Sequence, residues 1–213
     1  MAQSTDHLQT LSEIRSLMER SSRFISLSGL SGVFAGSVAL LGAALTYIYL
    51  EAIPFSGRKH YYDVVPGSEK WGLSFWEFSA ITASLVLILA IIGAIYFTNR
   101  KAKRKGLPAW DSMSKRLVLN LAIPLITGGI FILALLKYNL GGLVAPTTLI
   151  FYGLGLLNAS KYTLNDIRYL GVTQVALGSV ALFNIGYGLE FWTLGFGILH
   201  IIYGLVLYRK YER

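Results

Sequence analysis

Six stretches of roughly 20 residues, the length of a helix that crosses a bilayer, contain between them a single Asp, Glu, Lys or Arg, which is Glu77. They run over 27–50, 73–98, 117–136, 140–158, 169–187 and 191–208, more than half of the chain. Each is continuously apolar instead of alternating, so each reads as a helix and not as a barrel strand: in lipid only a helix satisfies its backbone hydrogen bonds within one segment. The fourth stretch is the least regular, with Gly141, Gly142 and Pro146 at its start. A proline in the first turns of a helix costs little, because the missing N–H has no partner there anyway. With 54% hydrophobic and only 14% charged residues, a soluble surface could not easily be built. The expected fold is an all-α membrane protein: six transmembrane helices in residues 24–213, preceded by an N-terminal amphipathic cytoplasmic helix in residues 1–23.

The loops are strongly asymmetric in charge. Arg15, Arg20, Arg23, the run Arg100, Lys101, Lys103, Arg104, Lys105, then Lys115, Arg116, Lys161, Arg168, Arg209, Lys210 and Arg213 fall on one side of a six-span arrangement. Arg58, Lys59, Lys70 and Lys137 fall on the other. Fifteen of nineteen basic residues on one side is a positive-inside signal, and it predicts an even number of spans with both termini cytoplasmic. The net charge of +8 is thereby absorbed by topology and lipid contact. Five basic residues between Arg100 and Lys105 predict attraction of anionic lipid at about 1 kcal/mol each. Without interleaved aromatics or a folded basic domain, nucleic acid is not an expected partner.

Between residues 5 and 23, Leu8, Leu11, Ile14, Leu17 and Met18 recur at helical spacing among charges. That pattern predicts a helix lying on the inner leaflet, or one that docks a cytoplasmic partner. The outer turns near Lys137–Asn139 and Gly188–Glu190 are so short that spans three and four, and five and six, become antiparallel neighbours. Thr163 and Asp166 stand three apart before the fifth stretch and predict a capping box.

Ser28, Gly32 and Gly36 repeat every four residues in span one, a small-residue stripe that lets another helix approach closely. Gly197 and Gly204 flank His200 in span six at the same kind of spacing. His200 is the one ionisable side chain near the middle of any span, a functional candidate by position. A neutral imidazole satisfied by a neighbouring hydroxyl or carbonyl is the plainer reading. Asn120, Gln174 and Asn184 read as interhelical hydrogen-bonding residues. No cofactor or metal is expected: the chain has no cysteine, and His60 with Asp63 is too small a set for a metal centre. No paired carboxylates or activated nucleophile point to an enzyme.

Residues 20–36, RSSRFISLSGLSGVFAG, and 146–171, PTTLIFYGLGLLNASKYTLNDIRYLG, resemble a group of uncharacterised multi-pass membrane proteins of Bacteroidota-type bacteria. The resemblance covers those two stretches. It implies a bacterial inner-membrane location and brings no activity and no functional residues. The sequence thus predicts a regulatory, scaffold or accessory membrane subunit, alone, as a homo-oligomer or with a membrane partner. The alternative is a small transporter or channel for a neutral or weakly charged solute.

Overall fold

The computed structural model describes residues 27–54, 69–106, 108 and 110–213. The expected amphipathic helix of residues 1–23 lies outside the described residues, as do His60 and Asp63.

The described chain is all-α apart from one two-residue hairpin. Helix α1, Gly29–Leu50, is stopped by Glu51 in the left-handed conformation (φ 51°). Strands β1, Glu69–Lys70, and β2, Leu73–Ser74, pair antiparallel around Trp71 and Gly72, both at positive φ, as a tight two-residue turn requires. Helix α2, Phe75–Arg104, then begins in a full capping box: the Glu77 amide donates to Ser74 Oγ at 3.4 Å and the Ser74 amide to Glu77 Oε2 at 2.9 Å. The lone charge in the six apolar stretches is therefore a helix cap. At 30 residues, or about 45 Å, α2 outlasts its apolar stretch and carries the basic run of residues 100–104 as helix.

Helix α3, Ser112–Lys137, is capped by Asp111, whose carboxylate accepts from the Ser114 amide at 2.7 Å. It ends at Asn139 in the left-handed conformation (φ 56°), with the Leu140 amide bonded back to Leu135 O at 2.8 Å. A 3₁₀ turn, Gly141–Leu143, leads into α4, Val144–Ala159, so Pro146 does fall in a first helical turn. After a second 3₁₀ turn, Ser160–Tyr162, α5 covers Asp166–Leu182. The last rod is composite: α6, Gly188–Trp192, a π-helix, Thr193–Leu199, and α7, His200–Tyr211.

Close glycine contacts show how the helices lie. Along α4 and α5, Gly153 meets Gly171 and, toward the other end, Ile150 meets Gly178, so the two helices run antiparallel in contact. Helix α3 packs on the opposite face of α4 through Gly128 against Phe151 and Gly155 against Leu121. Helix α1 lies between α2 and the composite rod, with Phe34 of α1 on Gly93 of α2 and Gly36 on Gly197 of the rod. The hairpin expected between spans five and six is present, but the broad face of the rod goes to α1. It meets α5 where Gln174 and Leu177 reach Gly195 and where Asp166 reaches Lys210 and Tyr211.

Two ends are thereby defined. Leu27, Lys101, Asp166, Tyr211 and Glu212 gather at one, the basic end. Leu73 with Tyr49, and Trp76 with Gly141, mark the opposite end. The start of α1 and the end of α7 touch, through Ser28 and Glu212.

Among the described residues, five helical segments are long and apolar enough to cross a membrane: Gly29–Leu50, Phe75–Arg104, Ser112–Lys137, Gly141–Tyr162 and Gly188–Tyr211. Their outward surface is greasy, with Leu133 67% and Ile126 63% exposed on α3, which fits a membrane protein and not a soluble monomer. The fifth expected span differs from its sequence boundaries of 169–187. Its helix has 17 residues and stops at Leu182, because residues 183–187 turn through Gly186 at φ 108°.

Candidate functional site: a buried polar node on a π-helix

Of the small residues singled out in the sequence, Gly32, Gly36, Gly197 and Gly204 come together, and Ser28 meets Glu212 instead. A methyl group on Gly32 would lie 3.1 Å from Gly204 Cα, and one on Gly36 would lie 2.7 Å from Gly197 O. One on Gly204 would stand 2.5 Å from the Val33 amide nitrogen and 2.7 Å from Gly29 O. One on Gly197 would run into the Leu40 side chain. Backbone therefore meets backbone, which only glycine permits at this separation. Gly29, which falls outside the predicted stripe, belongs to the same seam: its missing side chain makes room for Tyr208 and Gly204.

While these glycines seat α1, the His200 ring turns toward α4. Nδ1 lies 2.9 Å from Gly195 O and Nε2 lies 2.8 Å from the Tyr152 hydroxyl. A carbonyl can only accept, so Nδ1 carries a proton and donates to Gly195 O, and in the neutral ring the Tyr152 hydroxyl would donate to Nε2. Both ring nitrogens are thus engaged. Gly195 O accepts a second bond, from the Gln174 amide at 2.7 Å. Gln174 is wholly buried and His200 is 6% exposed. Phe196 stacks on the His200 ring at 5.7 Å between centroids, and Tyr152 packs beside both.

The node depends on the π-helix, a form that recurs at functional sites. It also depends on glycine at 195, since a methyl there would fall 2.7 Å from Gln174 Oε1 and overlap the buried Leu149 side chain. One atom in it lacks a partner: Gln174 Oε1 is buried and accepts no hydrogen bond. Sequence reasoning finds His200 and treats Gln174 as generic. It misses Tyr152 and Gly195, for which no signal exists in one sequence, because a π-turn changes which side chains share a face.

A second polar cluster closes the basic end. The Glu212 carboxylate accepts from the Gly29 amide at 2.5 Å and from Ser28 Oγ at 3.1 Å, and Lys101 Nζ stands 3.4 Å away. A carboxylate at the start of α1 suits the positive pole of that helix. Lys101 Nζ also donates to Leu27 O at 2.5 Å and is 5% exposed. Of the five basic residues expected at the lipid surface, Arg100, Lys103, Arg104 and Lys105 are exposed and Lys101 is turned inward. Asp166, expected as half of a capping box with Thr163, reaches across to Tyr211 Oη at 2.6 Å and Lys210 Nζ at 3.0 Å. Partial burial pushes its carboxyl up, but the hydrogen bonds from Tyr211 and Lys210 outweigh that and hold it below its ordinary range.

Among the described residues no group of three or more His, Asp and Glu side chains could hold a metal ion. Comparison with protein-family models, with curated proteins and with solved structures finds no match for this chain.

Proposed function

We propose that this chain is a bacterial inner-membrane protein that crosses the bilayer six times with both termini cytoplasmic, and that it serves as a regulatory, scaffold or accessory subunit. The observation that carries the subunit reading is the packing around His200: both ring nitrogens are taken up by Tyr152 and Gly195 of the same chain, which leaves neither free to bind a solute. Support for six crossings comes from α5. It lies along α4, which is itself apolar enough to span, and its uncharged part, 169–182, covers about 21 Å of a hydrocarbon layer of about 30 Å. The cytoplasmic assignment of the basic end follows from the charge bias. Exposed Arg100, Lys103, Arg104 and Lys105 supply the anionic-lipid contact on that side.

The test is affinity purification of the full chain from membranes with wild-type sequence and with Gly36→Leu, which forces α1 off the rod. A subunit role predicts stoichiometric co-purifying membrane protein, lost in the variant. Recovery of the chain alone from mild extraction would contradict it. A second reading, a small transporter or channel for a neutral or weakly charged solute, is favoured by the unpartnered Gln174 Oε1 beside the π-helix. Solute flux in proteoliposomes that is abolished by Gln174→Leu would establish it.

A further inference from the structure

The turn of the β-hairpin carries a residue that such turns avoid. A two-residue hairpin turn puts its central residues at positive φ and selects Asn, Asp or Gly there, because a bulky side chain crowds its own backbone in that conformation. Trp71 holds the first of the two positions at φ 59° and Gly72 the second at φ 73°. The bulkiest of side chains thus sits where the backbone least tolerates one, and something must compensate. Contacts within the chain do so only in part. The indole meets the Tyr49 and Phe78 rings with 5.9 Å between centroids in each case, and Lys70 Nζ stands 5.3 Å from its centre. Trp71 nevertheless remains 61% exposed.

Its level along the bundle says what the exposed side meets. Phe78 lies one turn inside the start of α2, and Tyr49 is next to the last residue of α1. A ring resting on both is folded back along the side of the bundle instead of pointing away from its end. The charges at this level are Glu77, in the cap of α2, and the Lys70–Glu51 ion pair at 2.9 Å. One turn further inward the exposed surface of α2 becomes aliphatic, with Ile81, Leu85 and Ile88. The indole therefore lies at the step from charged to aliphatic surface. In a bilayer that step is the layer of headgroups and ester carbonyls, where tryptophan collects because its ring is apolar and its N–H still finds acceptors.

We propose that Trp71 is a membrane anchor: its exposed indole lies in the ester-carbonyl layer of the leaflet opposite the basic end and holds the hairpin, and with it the ends of α1 and α2, at a fixed depth. The inference rests on the reading that these helices span a bilayer. With the exposed Arg100, Lys103 and Arg104 on the other leaflet, both ends of α2 are then tied to lipid. Tryptophan fluorescence tests it on the full chain in phosphatidylcholine vesicles whose lipids carry bromine either near the glycerol or near the chain ends. The Trp71 signal is read from the chain with Trp76, Trp110 and Trp192 replaced by Phe. It is read independently as the difference between wild type and Trp71→Phe, which leaves Trp76 in place on Gly141. Quenching several-fold stronger by the shallow bromines than by the deep ones, with little effect of iodide in the water, is expected. A sole tryptophan introduced by Ile126→Trp, outward on α3, should show the reverse order of the two lipids. Stronger quenching of Trp71 by iodide than by either lipid would put the ring in water, and quenching by none of them would put it under protein. Both results overturn the anchor, as does stronger quenching by the deep bromines. If the tryptophan at 126 also escaped both brominated lipids, the membrane reading itself would fall.

Discussion

Pro124 has no amide hydrogen to offer the carbonyl of Asn120 one turn earlier in α3, and inside lipid no water takes its place. The Asn158 side-chain amide of α4 does, at 3.1 Å. Replacing Asn158 by Leu should cost about 1–2 kcal/mol, read as a lowered unfolding midpoint in detergent. In a Pro124→Ala background, where the helix regains its own donor, the same change should cost much less; equal costs in both backgrounds would contradict the coupling. The sequence shows the proline inside the third apolar stretch, and it shows Asn158 at the end of the fourth, but nothing in it says that the two share a depth. Glycine behaves alike in this respect. Gly204→Ala should destabilise by about 1–3 kcal/mol, because its methyl would meet the Val33 backbone at 2.5 Å. Gly129→Ala, with open space around it, should be neutral or stabilise by up to about 1 kcal/mol. A similar response at both positions would sink the account of the α1–α7 seam. The stripes on spans one and six are each visible as spacing; that they are one another's partners is a property of the assembled bundle.

At the scale of elements, the apolar stretches locate every long helix because lipid-length runs without charge have few other uses. Their ends are less legible. Helix α2 runs through Arg104, since helical hydrogen bonding does not stop where hydrophobicity does, and this extra turn is what turns Lys101 inward to Glu212. Helix α5 stops early at Leu182, because Gly186 turns the chain there. The junction between α5 and α7 makes a pH prediction. Asp166 is held below its ordinary pKa by Tyr211 and Lys210, so the folded state binds the proton less readily than the unfolded chain does. Its stabilising effect is then fully present above the unfolded carboxylate value of about 3.9 and disappears as pH falls through the folded one. The thermal midpoint of wild type should exceed that of Asp166→Asn by a constant margin from pH 7 to about 5, and the margin should begin to close only as pH falls below about 4. A margin that stays constant at low pH would show that Asp166 contributes nothing as a carboxylate.

For the molecule as a whole, the start of α1 and the end of α7 meet at Ser28 and Glu212, so the described chain leaves and returns to the same end. Whether α5 crosses with the others decides the whole arrangement, and the absence of cysteine makes the test direct, because any introduced cysteine is the sole labelling site. Single cysteines at the exposed positions Lys137, Lys161, Asn184 and Arg213, probed in intact cells with a membrane-impermeant maleimide, should label at 137 and 184. Those at 161 and 213 should label only after the membrane is opened. Labelling of 161 and 184 from the same side would show that α5 does not cross and would contradict the six-span account.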